Sequence, residues 1–169
     1  MTEPGFHVRR ARTDDVAAIQ SLVEPLVQRR ILLGKESVVF YEAVQEFRIA
    51  ETDDGELVGC GALHVMWKDL AEVRTLAVSE AWLKRGIGHA ILERLETDAR
   101  KLGLERLFCL TFEVAFFERH GFVDMGDETV DPAVYAELVR SRDEGVAEFL
   151  DLARVKPNTL GNTRMLKRL

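Results

Sequence analysis

Apolar residues recur along this chain with two alternating periods, and the switches between them mark out its elements. Positions 6–11 alternate as a first strand. Thr13 or Asp14 then offers an N-cap before Val16, Ile19, Leu22, Val23, Leu26 and Val27, which recur at helical spacing. Pro25 falls inside that pattern and is expected to kink or end the helix. A loop through Gly34 and Lys35 leads to a short helix near 38–45. Strands at 47–51 and 57–66 flank Asp53-Asp54-Gly55, a hairpin turn signal, and 72–78 reads as a further strand. The clearest helix spans 86–102, with Ile87, Ile91, Leu95 and Leu102 along one stripe and Gly103 as its C-terminal cap.

The second half is more broken. A short buried strand at 106–110 precedes a helix at 114–120 ended by Gly121, then a strand at 122–125. Past Asp131-Pro132 comes a helix over 133–141, and the tail offers two strand candidates, 148–155 and 163–169, around the turn-rich stretch 156–162. Helices interleaved with a mostly antiparallel sheet define an α/β (α+β) chain, not a run of regular βαβ units. No repeat, low-complexity tract or linker divides it, so residues 1–169 read as a single domain.

Composition changes this picture little. The chain is 47% hydrophobic and 31% charged, with a net charge of -6 that argues against a nucleic-acid-binding surface. It has no bearing on an anionic small molecule, which needs only a local basic patch. The two cysteines, Cys60 and Cys109, fall in apolar strand-like runs and encode neither a disulfide framework nor a metal site. No signal-type apolar run opens the sequence and no stretch approaches the roughly 20 apolar residues of a membrane span, so a cytoplasmic protein without a membrane partner is expected.

The passage of greatest chemical content is Leu76-Ala77-Val78-Ser79-Glu80-Ala81-Trp82-Leu83-Lys84-Arg85-Gly86-Ile87-Gly88-His89-Ala90. A strand enters a loop, and two glycines open a long amphipathic helix. Glycine lets backbone approach a ligand closely, and the first turn of a helix presents unpaired N–H groups at the positive end of its dipole. That is an anion site suited to phosphate or pyrophosphate, with Lys84 and Arg85 beside it. Gly-x-Gly alone also fits an ordinary tight turn. A dinucleotide fingerprint needs a third small residue where Ile91 stands, and a Walker loop needs Gly-Lys-Ser/Thr, whereas Gly34-Lys35 is followed by Glu36.

The passage resembles the acetyl-CoA motif of the GNAT superfamily of N-acetyltransferases, in which a strand ending in Val leads to Gln/Arg-x-x-Gly-x-Gly/Ala. Gly86 and Gly88 match, and Leu83 stands where Gln or Arg is usual. Residues 8–16 resemble the family's first strand and helix start, and Phe116-Phe117-Glu118-Arg119-His120-Gly121-Phe122 the segment after its fifth strand. The resemblance implies a mixed, mostly antiparallel sheet splayed between its fourth and fifth strands and flanked by helices. It implies acetyl-CoA as co-substrate, without a metal, held by Leu76, Ala77, Val78, Lys84, Arg85, Gly86, Ile87, Gly88 and His89, with Phe117 alongside. Many relatives carry at the Phe117 position a tyrosine that protonates the departing thiolate; here that acid is missing.

Amine acetylation needs a neutral nitrogen, yet an α-amino group with a pKa of about 8 stays mostly protonated at pH 7, so a base is required. Charge growing on the thioester oxygen needs a donor, which the resemblance places among the backbone N–H groups near 76–78. Glu72 aligns with the glutamate that serves as base in several relatives, and strand alternation sets it on one face with Arg74. A solvated ion pair is the ordinary reading of such a strand face; the place just before the cradle favours the catalytic one. His64 on the preceding strand is a second base candidate, although a lone strand histidine is more often structural.

Beyond the superfamily, the chain resembles the short, stand-alone N-acetylglutamate synthases of bacteria, which catalyse the first step of arginine synthesis. The resemblance is carried by Ile31-Leu32-Leu33-Gly34-Lys35, Tyr41-Glu42-Ala43-Val44-Gln45-Glu46-Phe47, Val58-Gly59-Cys60-Gly61-Ala62-Leu63, Leu110-Thr111-Phe112-Glu113 and the tail 155–166. It implies acceptor contacts at Lys35, Cys60, Arg74 and Thr111 and an amino-acid substrate, L-glutamate, whose two carboxylates call for converging cations. Longer synthases carry an arginine where this chain reads Thr111-Phe112-Glu113-Val114, so L-glutamine is expected as a second acceptor. Small domains of this kind often pair, which makes a homodimer the partner expectation. Two other readings stay open at this point: the same fold acting on a polyamine, drug or protein N-terminus, and a non-catalytic acetyl-CoA-sensing module.

Overall fold

The computed structural model describes residues 5–152 and 161–169. Its elements are β1 (Phe6–Arg10), α1 (Val16–Gln28), α2 (Ser37–Glu42), β2 (Phe47–Thr52), β3 (Leu57–Trp67), β4 (Leu70–Val78) and α3 (Ile87–Lys101). After these come β5 (Arg106–Thr111), α4 (Val114–Arg119), β6 (Val123–Asp124), α5 (Pro132–Leu138), α6 (Glu144–Phe149) and β7 (Thr163–Arg168). The strands form one mixed sheet in the order β1-β2-β3-β4-β5-β7-β6, with helices flanking it. β4 and β5 pair in parallel, and β1–β2, β2–β3, β5–β7 and β6–β7 pair antiparallel. Two compact units make up the chain: Met1–His64 with Val73–Leu102, and Val65–Glu72 with Gly103–Leu169.

The first unit is built on the β2–β3 hairpin. Gly55 at its turn has φ 87, which an L side chain resists, and its N–H donates to the Thr52 carbonyl at 2.9 Å. Val16, Ile19 and Val23 from α1 pack with Phe40, Phe47, Ile49, Cys60, Ala62 and Ala77. The expected N-cap at Thr13 or Asp14 is instead a 3-10 turn over Thr13–Asp15, closed by the Asp15 carboxylate accepting from the Arg12 N–H at 2.7 Å. Pro25 lies within α1, which ends one turn later. Arg9 binds both oxygens of Asp15 (2.8 and 2.9 Å) and Oε2 of Glu51 (2.7 Å), holding both carboxylates below their usual pKa.

α3 lies flat on this part of the sheet because β3 has glycines where the helix touches it. A Cβ on Gly59 would sit 2.6 Å from Ile87 and 2.9 Å from Ile91, and one on Gly61 would sit 2.8 Å from Ile91 and 3.0 Å from Leu76. Ile87, Ile91 and Leu95 are buried as the helical stripe predicts. Leu102 departs from it: the residue is the helix's C-cap and is exposed, while Ala99 occupies the buried position of the last turn. Arg48 on β2 makes a bidentate ion pair with Asp98 on α3, at 2.7 and 2.8 Å.

In the second unit Met66, Leu70, Phe108, Met125, Leu138, Val146, Phe149, Leu150 and Leu166 form the core, with the rings of Phe108 and Phe149 edge-to-face at 5.5 Å. Strand pairing between β5 and β7 covers all of Arg106–Thr111. The strand expected at 148–155 is corrected here to the helix α6. Asp143 caps it by accepting from the Val146 N–H at 3.0 Å, and Val146, Phe149 and Leu150 then share one face at helical spacing. Residues 150–152 leave the helix through a turn in which Asp151 has φ 58, and 153–155, with most of the turn-rich stretch 156–162, lie outside the described residues.

Candidate active site

The cradle passage folds as its glycines dictate. β4 ends where the Ser79 N–H donates to the Val58 carbonyl at 2.8 Å, and a 3-10 turn over Glu80–Trp82 follows. Lys84 and Gly86 both take left-handed backbone, φ 62 and φ 82, and this double turn swings the chain into α3. A Cβ on Gly86 would meet nothing within 4 Å, so its surroundings are open and glycine is needed there for φ alone. The first helical bond runs from the Ala90 N–H to the Gly86 carbonyl at 3.0 Å. The N–H groups of Ile87 and Gly88 therefore have no acceptor within the helix. Lys84 and Arg85 are exposed beside them, with the Arg85 guanidinium 4.6 Å from the centre of the Trp82 ring. His89 lies 3.5 Å from Glu93 one turn on. Open backbone at Gly86, the N–H groups of the first turn and two cations fit a pyrophosphate.

Upstream of the cradle, β4 is not a regular strand. Thr75 has φ 55, a conformation that β-branched residues rarely adopt. Its carbonyl accepts from the Cys60 thiol at 3.3 Å, and the same sulfur accepts from the Ala77 N–H. Cys60 has 0% of its surface exposed, and burial pushes its thiol up to about 12, a rise that the Ala77 N–H tempers. It is a neutral thiol over the physiological range. Sequence reasoning missed Thr75 entirely; the Gly59-Cys60-Gly61 run was the available sign that something approaches β3 closely. Lys35 is half-buried in the loop between α1 and α2, and Arg74 is half-buried on β4. His64 has Nδ1 2.5 Å from Oε1 of Glu46, which orients the ring.

The remaining candidates lie in the second unit. Glu72 is 7% exposed and pairs in register with Phe108 of β5. Next to Phe108, the Cys109 thiol is pushed well up, first by burial and then by the negative charge of Glu72. Thr111 ends β5 and its hydroxyl accepts from the Glu113 N–H at 2.8 Å. Phe117 is buried in α4, stacked edge-to-face on Phe116 at 5.2 Å and Phe122 at 5.1 Å. Its ring offers no proton. Among the described residues no helix is long and apolar enough to cross a membrane.

Residues 20–122 match the Acetyltransferase (GNAT) family. The chain is 58% identical over 161 residues to an amino-acid acetyltransferase of Mycobacterium tuberculosis, covering 94% of this chain and 92% of that protein. A Mycobacterium tuberculosis crystal structure in complex with CoA and NLQ superposes with a TM-score of 0.92 at 57% identity, over 96% of this chain and 99% of that one. N-acetylglutamate synthase from Neisseria gonorrhoeae, complexed with coenzyme A and N-acetyl-glutamate, matches with a TM-score of 0.74 at 26% identity, over 99% of this chain but 36% of the synthase. An amino-acid acetyltransferase of Pseudomonas putida is 34% identical over 133 residues, 78% of this chain and 30% of that protein. The chain thus spans about a third of these last two. The chain belongs to the GNAT acetyltransferase family. Its sheet and helices are the GNAT fold, and its activity is acetyl-CoA-dependent N-acetyl transfer.

Proposed function

We propose that this chain transfers the acetyl group of acetyl-CoA to the α-amino group of L-glutamate, with L-glutamine as a second acceptor, and so performs the first step of arginine biosynthesis. The observation that carries this is the 58% identity to an amino-acid acetyltransferase across nearly the whole of both chains. The N-acetyl-glutamate complex of the gonococcal synthase supports it. Half-buried Lys35 and Arg74 supply the cations that an acidic amino acid requires, and Thr111 a hydroxyl. Glutamine enters because Phe112 and Glu113 leave no arginine after β5 to demand a second carboxylate. The span 1–169 acts in this reading as one catalytic domain, working as a homodimer in the cytoplasm.

Acetyl-CoA, when bound, supplies an activated acyl group on a good leaving thiolate. The first-turn N–H groups of α3, with Lys84 and Arg85, hold its pyrophosphate. Glu72 accepts a proton from the acceptor ammonium, directly or through one water, and frees the nitrogen lone pair for attack. Backbone N–H groups near 76–78 steady the charge that builds on the carbonyl oxygen. With phenylalanine at 117, no side chain is needed to protonate sulfur, since thiolates leave readily near neutral pH.

The test is release of CoA thiol by purified protein with acetyl-CoA and a panel of amino acids, polyamines and peptides. Glutamate and glutamine should lead the panel. Turnover confined to polyamines or peptides, or equal release with no acceptor, would overturn the reading.

A further inference from the structure

We propose that Cys60 is a positioning residue for acetyl transfer: its thiol clamps the left-handed kink at Thr75 and so holds the β4 amides beyond it in register with the thioester. This rests on the reading that residues 76–78 meet the thioester carbonyl.

The sulfur is wired to main chain on both sides of Leu76. It donates to the Thr75 carbonyl at 3.3 Å and accepts from the Ala77 N–H. Two groups that a regular strand would give to its neighbour are thus satisfied by one side chain. The kink needs this support. A threonine at φ 55 is unfavourable in isolation and persists only where its surroundings over-determine it. Cys60 is fully buried, so water cannot substitute for its donor. Either side of it, Gly59 and Gly61 admit Ile87 and Ile91 to distances no Cβ would allow, and Leu76 to one that few would. On β3, Gly59 and Gly61 therefore set the height of the α3 N-terminus, and Cys60 the path of β4. Since Ala77 and Ser79 direct their N–H groups toward β3, the Val78 N–H between them points away from it.

A clamp and a mere core residue make different predictions. Cys60→Ala loses the donor, Cys60→Ser keeps one, and Thr75→Gly makes φ 55 free of cost, so the kink no longer depends on sulfur. The experiment measures kcat for acetyl transfer, CoA affinity by calorimetry and the unfolding midpoint for these variants and for Cys60→Ala in the Thr75→Gly background. The amine is whichever one the native protein acetylates fastest, so failure of glutamate as acceptor leaves the comparison readable. Expected is a fall in kcat of about tenfold for Cys60→Ala, with CoA affinity within about twofold because the α3 turn is untouched, and Cys60→Ser between the two. In the Thr75→Gly background the same change should alter kcat less than about twofold. An equal loss in both backgrounds, an unchanged kcat, or a parallel loss of CoA affinity would overturn the clamp. Should Cys60→Ala not fold, Cys60→Ser against Thr75→Gly reads the same coupling.

Discussion

The two halves of β4 are held by opposite means. Leu70, Ala71 and Glu72 sit in regular register with Arg106, Leu107 and Phe108, held by the ladder. From Thr75 the backbone turns left-handed and is tied instead to a side chain, the Cys60 thiol. Each half also has a buried cysteine as neighbour, and the pair reports the contrast. Cys109 lies against the charge of Glu72 and is driven further from ionisation; Cys60 lies against an N–H and is drawn back toward it. A regular ladder positions a side chain, here a carboxylate. A broken ladder lets main-chain groups bond elsewhere, here the Thr75 carbonyl and the Ala77 N–H to the Cys60 sulfur.

The sharpest break of this comparison is Glu72→Gln. It keeps the ladder and removes the charge, so kcat should fall on the order of 100-fold, with the pH profile flattened and acetyl-CoA affinity kept. Steady-state kinetics between pH 6 and 9 check it, and an unchanged profile would remove Glu72 as base. Next in size is Gly61→Ala on β3. The added methyl meets Ile91 at 2.8 Å and Leu76 at 3.0 Å, so overpacking should cost about 2 kcal/mol in urea unfolding and disturb the released half of β4.

The smallest effect is alkaline. A thiol whose folded pKa is raised contributes stability that is complete below its unfolded value and is lost as pH climbs toward the folded one. For Cys60 that window runs from the ordinary 9.0 up to about 12. Cys60→Ser should remove roughly 1 kcal/mol of the stability lost between pH 8 and pH 10. Unfolding curves for variant and native protein that fall in parallel over that interval would contradict it.

Much of the cradle was legible because its causes are local. Gly86 and Gly103 take positive φ, and Asp53-Asp54-Gly55 closes a hairpin, each for reasons contained within a few residues. Thr75 was not legible, because nothing about a β-branched residue announces left-handed backbone. Its cause is a sulfur fifteen positions away in sequence. The α6 segment failed for another reason. Its apolar run is short enough to suit either period, and only the cap at Asp143, a local signal passed over, decides for helix. Lys35 and Arg74 could be named from resemblance, but their half-buried settings come from the fold.

The kink at Thr75 also governs how strands can slip. In a regular ladder a shift by one residue turns every side chain to the other face, and flat or Gly-rich strands resist it least. Here a one-step slide of β4 would carry the left-handed turn onto Leu76 or Arg74 and leave the Cys60 sulfur facing the wrong carbonyl. A single strained residue thus acts as an index mark that favours one alignment of β4 on β3 over its neighbours.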